Sequence, residues 1–215
     1  MSALLTTMPT FSRNKLSTTL TENNLAQAGL GSFFRPGEVE RLGVTYDQLR
    51  GMEERGDVER VARGLYRLAD AELTEHYSIA SVCARAPSSV VCLITALQVY
   101  DIGTQLSPAV WIGIHHKARP PKISTVKVRL VRFSGAAWRY GIQEKRFERV
   151  PARITSPART IVDCFRFERL IGREAALEAL RDALQDRKVT TAALLRVLDV
   201  LPSRSLTSIL MSGAI

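Results

Sequence analysis

Long hydrophobic runs are missing from this chain of 215 residues. No stretch of about eighteen apolar residues occurs, the length that a membrane-spanning helix needs, so a protein without a membrane span is predicted. The opening MSALLTTMPTFSRNKLSTT lacks the basic-then-apolar order of a secretory signal, and a cytoplasmic location is expected. Cysteine is scarce. Cys83, Cys92 and Cys164 stand far apart, without a Cys-x-x-Cys pair or Cys/His cluster, so neither a disulfide framework nor a zinc site is indicated, and all three read as small buried hydrophobes. There is no glycine-rich phosphate loop, no serine in a nucleophile elbow and no paired-carboxylate spacing.

The three histidines add no chemistry. His115 and His116 are adjacent, so on a strand they face opposite ways and cannot jointly chelate a metal, while His76 stands alone. Asp182, Asp186 and Lys188 contain an Asp-x-Lys, but they lie in a helical repeat and read as a solvated face. Asp163 sits by an apolar helix face with no paired base or nucleophile, which points to a structural hydrogen bond. No catalytic residue, metal or cofactor is expected, and the chain reads as a binder rather than an enzyme.

Hydrophobic content of 46% suffices for a folded core. The signals predict an α+β protein of two domains: a mobile tail over residues 1–16, a helix-turn-helix module over 17–70, and a mixed α/β domain over 71–215 that ends in helices. TLTENNLAQAGLG, with Leu20, Leu25, Ala28 and Leu30 near helical spacing, is the expected first helix of the module. The strongest signals lie in residues 36–68, PGEVERLGVTYDQLRGMEERGDVERVARGLYRL. Pro36 suits the first position of a helix, Gly43 its left-handed end, and Thr45 with Gln48 has capping-box spacing for a second helix ending at Gly56. Tyr46, Leu49 and Met52 form one stripe expected to pack on Val39 and Leu42. The other face carries Asp47, Gln48, Arg50, Gly51, Glu54 and Arg55, the donors and acceptors that a reader of base edges requires.

Beyond Gly56, VERVA and LYRLA flank Arg63-Gly64, which predicts a hairpin wing with an irregular register. Ser32–Arg35 is the candidate for a third short strand. The pattern is that of a winged helix-turn-helix. Thr45, Tyr46, Gln48, Arg50 and Arg55 are its candidate DNA contacts on the helix and turn, and Arg60, Arg63 and Arg67 those on the wing, where they could reach phosphates or the minor groove.

The formal charge is +9, and its location is informative. Residues 1–70 are neutral and 71–112 carry −2, whereas 113–153 carry +9 and 154–215 carry +2. In the second domain LTEHYSIASVCARAP reads as a helix buried through Ile79, Val82, Cys83 and Ala86, VVCLI as a buried strand or helix start, and TALQVYDIG as a helix ending at Gly103. AVWIGIH and TVKVRLVRF read as strands, the second with Val126, Val128 and Leu130 inward and Lys127 and Arg129 outward. HHKARPPK and WRYGIQEKRFERVPAR are expected to bring Lys117, Arg119, Lys122, Arg139, Lys145, Arg146, Arg149 and Arg153 towards one region, interleaved with Trp138 and Tyr140. Together with Lys127 and Arg129 this predicts a basic patch for nucleic acid or an acidic protein. The last third is helical: Ser156-Pro157 opens one helix, Arg173 to Lys188 a second and Thr191 to Leu201 a third, before the tail SRSLTSILMSGAI.

LGVTYDQLRGMEERGDVERVARGLYRL, VVCLITALQVYDIG, AVWIGI and ITSPARTIVDCFRF, in that order, resemble the AbiEi antitoxins of type IV toxin-antitoxin systems. The resemblance spans roughly residues 20–200, with RVARGLYRL and TSPARTIVD its most specific pieces. It implies a winged domain that binds double-stranded DNA at the operator of its own operon, and a C-terminal domain that antagonises a nucleotidyltransferase toxin without a stable complex. It fits a monomer in solution and cooperative binding on DNA. Two other readings stay open: a stand-alone regulator with a dimerisation or effector domain, and a DNA-acting nuclease using Asp163 or the Asp182–Lys188 cluster.

Overall fold

The computed structural model describes Leu30, residues 32–71 and residues 74–213. The expected tail and the expected helix before Leu30 lie outside the described residues. The described chain begins with β1 (Phe33–Phe34), α1 (Pro36–Arg41), α2 (Tyr46–Arg55), β2 (Val58–Ala62) and β3 (Leu65–Leu68). Local chemistry sets these bounds. Pro36 starts α1, the Thr45 hydroxyl accepts from the Gln48 N–H at 3.3 Å while the Gln48 carbonyl oxygen accepts from the Thr45 N–H at 2.8 Å, and Gly56 closes α2 at φ 84°. The strands form a sheet in the order β1-β3-β2, with the expected register shift between Arg60 and Ala62.

Both faces of this sheet are covered. Phe34, Val58, Tyr66 and Leu68 pack on Val39, Val44, Leu49 and Met52 of the helical side. Phe33, Val61 and Leu65 join a second cluster with α3 (Tyr77–Arg85) and the larger sheet. Two apolar expectations change. Tyr46 is 67% exposed and Leu42 38% exposed, and Val44, from the turn, fills the space beside Val39 and Leu49.

After α3 come β4 (Val90–Val91), α4 (Leu93–Val99), β5 (Val110–His115), β6 (Val128–Phe133), a 3₁₀ turn (Gly135–Trp138), β7 (Ile142–Phe147) and β8 (Val150–Thr155). The chain ends in α5 (Pro157–Arg166), α6 (Glu168–Ile171), α7 (Arg173–Gln185), α8 (Thr191–Val200) and α9 (Arg204–Ser212). The five strands order as β6-β5-β4-β8-β7, with β5–β6 and β4–β8 parallel and the other pairs antiparallel. One face carries Val91, Ile112, Ala152 and Ile154 against α3 and the wing; the other carries Val90, Trp111, Val131 and Phe133 against α4, α5, α7, α8 and α9. Gly113 lets the Phe133 ring lie over the neighbouring strand β5, because a Cβ there would meet its Cε2 at 2.2 Å.

Several expectations are corrected here. VVCLI divides into a two-residue strand and the start of α4, which stops at Val99 rather than Gly103. In β6 the inward residues are Val131 and Phe133, and Leu130 is 38% exposed, because alternation puts it on the opposite face of an edge strand, with Val128. WRYGIQEKRFERVPAR, expected as a basic segment, forms most of the β7–β8 hairpin.

Candidate nucleic-acid interface

Helix α2 exposes the side chains that base readout needs, with qualifications. Gln48 spends its carbonyl oxygen on the capping box and keeps its amide N–H groups, and Thr45 shares that cap. Arg50 meets Glu54 at 3.0 Å with both side chains largely exposed, a pair worth little in water. Arg55 meets Asp57 at 2.7 Å. Tyr46 points into solvent at the start of the helix.

On the wing, Arg60 and Arg63 are exposed, but Arg67 is not. Its guanidinium donates to the carbonyls of Ala69 (3.2 Å) and Ala71 and lies 5.0 Å from the Tyr77 ring centre, and the residue is 7% exposed. Arg67 sits in register with Phe33, on the sheet face that packs on α3, so it ties the wing to the segment that follows rather than standing out in solvent like Arg60 and Arg63.

The basic patch does not form as one surface. Lys117, Arg119, Lys122, Lys127, Arg129, Arg139, Lys145, Arg146 and Arg149 are all exposed, but β6 and β7 are opposite edges of the sheet. Four strand spacings of about 4.8 Å separate them by about 19 Å. Lys127 and Arg129 lie on the β6 edge, and Lys117, Arg119 and Lys122 in the loop before it; Lys145, Arg146 and Arg149 lie on the β7–β8 hairpin. Arg153 is half-buried, 4.9 Å over the Trp138 ring, and donates to the Ser88 carbonyl at 3.2 Å.

The hairpin half of the basic surface meets the wing. A cavity of about 240 Å³ between them is lined by Arg35, Glu38, Arg63, Cys83, Glu148 and Arg149, among others. Glu38 accepts from the Arg35 N–H at 3.3 Å and Glu148 from the Thr74 hydroxyl, so both carboxylates have other partners, and among the described residues none of the three arginines has an ion-pair partner. Burial pushes the Cys83 thiol up to about 12. Arg35 was not singled out from the sequence; its only signal is its place beside the helix-opening Pro36. The tip of the hairpin is unusual. Glu148 and Arg149 take φ of 47° and 66°, the left-handed conformation of a two-residue turn that favours Asn-Gly.

The remaining candidates have partners within the fold. The strand ends at His115, so the His115 and His116 rings lie 4.3 Å apart rather than on opposite faces, and His115 meets Trp138 edge-on at 5.4 Å. Lost hydration and the neighbouring His115, Lys117 and Arg132 hold His116 below the ordinary imidazole value. Asp163 accepts from Arg159 at 2.7 Å and Arg166 at 2.8 Å, and burial raises its pKa against the pull of the two guanidiniums. Asp182 accepts from the Gly103 N–H at 3.1 Å, and Lys188 meets Asp186 at 3.4 Å. Among the described residues no group of three or more His, Cys, Asp or Glu could hold a metal, and no helix is long and apolar enough to cross a membrane.

Two helices, the second capped at Thr45, backed by a three-stranded sheet define a winged helix-turn-helix. Residues 25–69 match the family described as "Transcriptional regulator, AbiEi antitoxin", the same family that the longer set of motifs resembles. No curated protein matches the chain.

Proposed function

We propose that this protein is a DNA-binding antitoxin and autorepressor: it binds double-stranded DNA at its own operator and, through residues 71–215, antagonises a nucleotidyltransferase toxin encoded beside it without a stable complex. It acts as a binder, in the cytoplasm, and the winged module and the second domain hold the same duplex.

The observation that carries this reading is the convergence of Arg35, Arg63 and Arg149 on the cleft between wing and hairpin, in a module whose second helix exposes Gln48, Arg50 and Tyr46. Base edges would be read by the amide of Gln48 and the guanidinium of Arg50, which supply specificity. Phosphates would be held by Arg63 and Arg149, which supply affinity. The neutral charge of residues 1–70 is then no obstacle, because the hairpin contributes the missing cations. The left-handed Arg149 supports the role: a strained residue persists where its side chain has a use that Gly lacks.

The test is binding of the purified chain to the duplex upstream of its reading frame and to a scrambled duplex. Wild type should prefer the former, and Gln48→Ala with Arg50→Ala should lower that preference by about 1–3 kcal/mol per lost base contact. An unchanged ratio would remove base reading by α2. Co-expression with the neighbouring gene, scored as growth rescue, tests the antitoxin half and separates it from a stand-alone regulator.

A further inference from the structure

The β6 edge holds the half of the basic surface that the wing does not reach. Among the described residues β6 pairs only with β5. The Lys127 and Phe133 carbonyls accept from the Val110 and His116 N–H groups, each at 2.9 Å, so the odd-numbered residues of β6 turn their backbone groups towards β5. Alternation along a strand then points the N–H and C=O groups of Val128, Leu130 and Arg132 outward, an unfilled ladder of three donors and three acceptors.

The side chains around this ladder sort by face. Val128 and Leu130 share one face with a groove of about 520 Å³ that Pro121, Ile123 and Val126 also line. Leu130, at the middle of the strand, is 38% exposed. Lys127 and Arg129 stand on the other face, with the Arg129 guanidinium 5.1 Å from the Trp111 ring centre. Arg132 donates to the His116 and Ala118 carbonyls at 2.6 and 3.0 Å, which fixes the loop beside the edge. None of the three cations has an ion-pair partner among the described residues.

We propose that β6 is a docking strand for an extended acidic segment of a partner protein, which adds to the sheet with apolar side chains over Val128 and Leu130 and carboxylates opposite Lys127 and Arg129. Charge decides the occupant. Edge lysines and arginines oppose pairing between identical edges, because a second copy would set three cations against three, whereas an acidic strand turns the same charges into cross-strand pairs. Backbone hydrogen bonds supply affinity and the two faces supply specificity, as in β-strand addition generally. The surface is separate from the DNA-facing cleft by the width of the sheet, so this inference stands or falls apart from the operator reading.

The experiment uses the full chain and fluorescein-labelled ten-residue peptides, followed by anisotropy. An alternating Glu-Val peptide should bind saturably; an alternating Lys-Val peptide and a peptide of the same composition with Glu and Val in separate blocks should not. Arg129→Glu should weaken the Glu-Val complex by about tenfold or more, on the scale of one lost charge-assisted contact. Leu130→Pro removes an outward N–H and leaves the β5 ladder intact, and should weaken binding similarly while unfolding at nearly the wild-type temperature. Operator affinity should be unchanged in both variants. The proposal is overturned if wild type ignores the Glu-Val peptide, if Arg129→Glu binds it as wild type does, or if sedimentation shows a wild-type dimer that Leu130→Pro dissolves.

Discussion

Arg159 donates from Nε to Oδ2 of Asp163 at 2.7 Å, one turn apart on α5, with both side chains completely buried. The other guanidinium nitrogens donate to the Tyr140 and Ala137 carbonyls, so the pair ties α5 to the segment between β6 and β7. Gly141, at φ 66°, allows the close approach: a Cβ there would meet the Arg159 Cβ at 2.9 Å. TSPARTIVD therefore reports architecture, with Ser156 capping the helix, Thr160 meeting Thr155 at 2.7 Å, and Asp163 neutralising Arg159.

A buried pair that loses one member leaves an uncompensated charge. Asp163→Ala should lower unfolding free energy by about 3–5 kcal/mol, because Arg159 stays buried with its charge unbalanced. Urea denaturation of wild type and variant measures the difference. A change below about 1 kcal/mol, the range of an exposed pair, would contradict the assigned role.

Arg67 and Arg63 are four residues apart and should behave oppositely. Arg67→Ala removes a buried donor to Ala69 and Ala71 and should destabilise the fold by about 1–3 kcal/mol while leaving the salt dependence of DNA binding as it was. Arg63→Ala should leave stability within about 0.5 kcal/mol of wild type and make the salt dependence shallower. Thermal melts and affinity titrations at several salt concentrations check both; the reverse assignment would return Arg67 to the DNA face.

The thiols provide a pH test of the core. Cys83 is held near 12 by burial, and Cys92 and Cys164 are raised for the same reason. A raised pKa keeps a thiol protonated, so at pH 8 all three should resist iodoacetamide in the native protein, whereas in urea, with ordinary values of about 8.5, all three should label within minutes. Rapid native labelling of Cys83 would show that the cleft between wing and hairpin opens.

Local signals made the winged module legible. Pro36, the Thr45–Gln48 pair, Gly56 and Arg63-Gly64 act within a few residues of themselves, and the elements begin and end where those signals put them. The basic surface was not legible in the same way. Arg129 and Arg149 are close in sequence, but the order β6-β5-β4-β8-β7 places them on opposite edges, and that order depends on long-range pairing. β7 was hidden because IQEKRF leaves most of its side chains in water and shows no hydrophobic alternation. Arg67 looked like a wing cation because its partners are backbone carbonyls, which no residue pattern advertises.

The turn at the hairpin tip allows Arg149 to be removed with little structural penalty. A left-handed non-glycine residue carries about 1–2 kcal/mol of strain. Glycine relieves it and gives back about 0.5–1 kcal/mol in unfolded-chain entropy, so Arg149→Gly should fold at least as stably as wild type. A fall of more than about 1 kcal/mol in urea denaturation would show that the arginine supports the fold.

The most direct test of a duplex held jointly by wing and hairpin is the salt dependence of affinity for the upstream duplex in wild type, Arg149→Gly and Arg129→Glu. Each phosphate contact contributes about 0.9 to the slope of log affinity against log salt, so Arg149→Gly should make the slope shallower by about 1. Arg129, about 19 Å away on the far edge, lies beyond the Debye length of about 8 Å at physiological salt, and Arg129→Glu should leave the slope unchanged. A wild-type slope in Arg149→Gly, or a change found only in Arg129→Glu, would contradict the account.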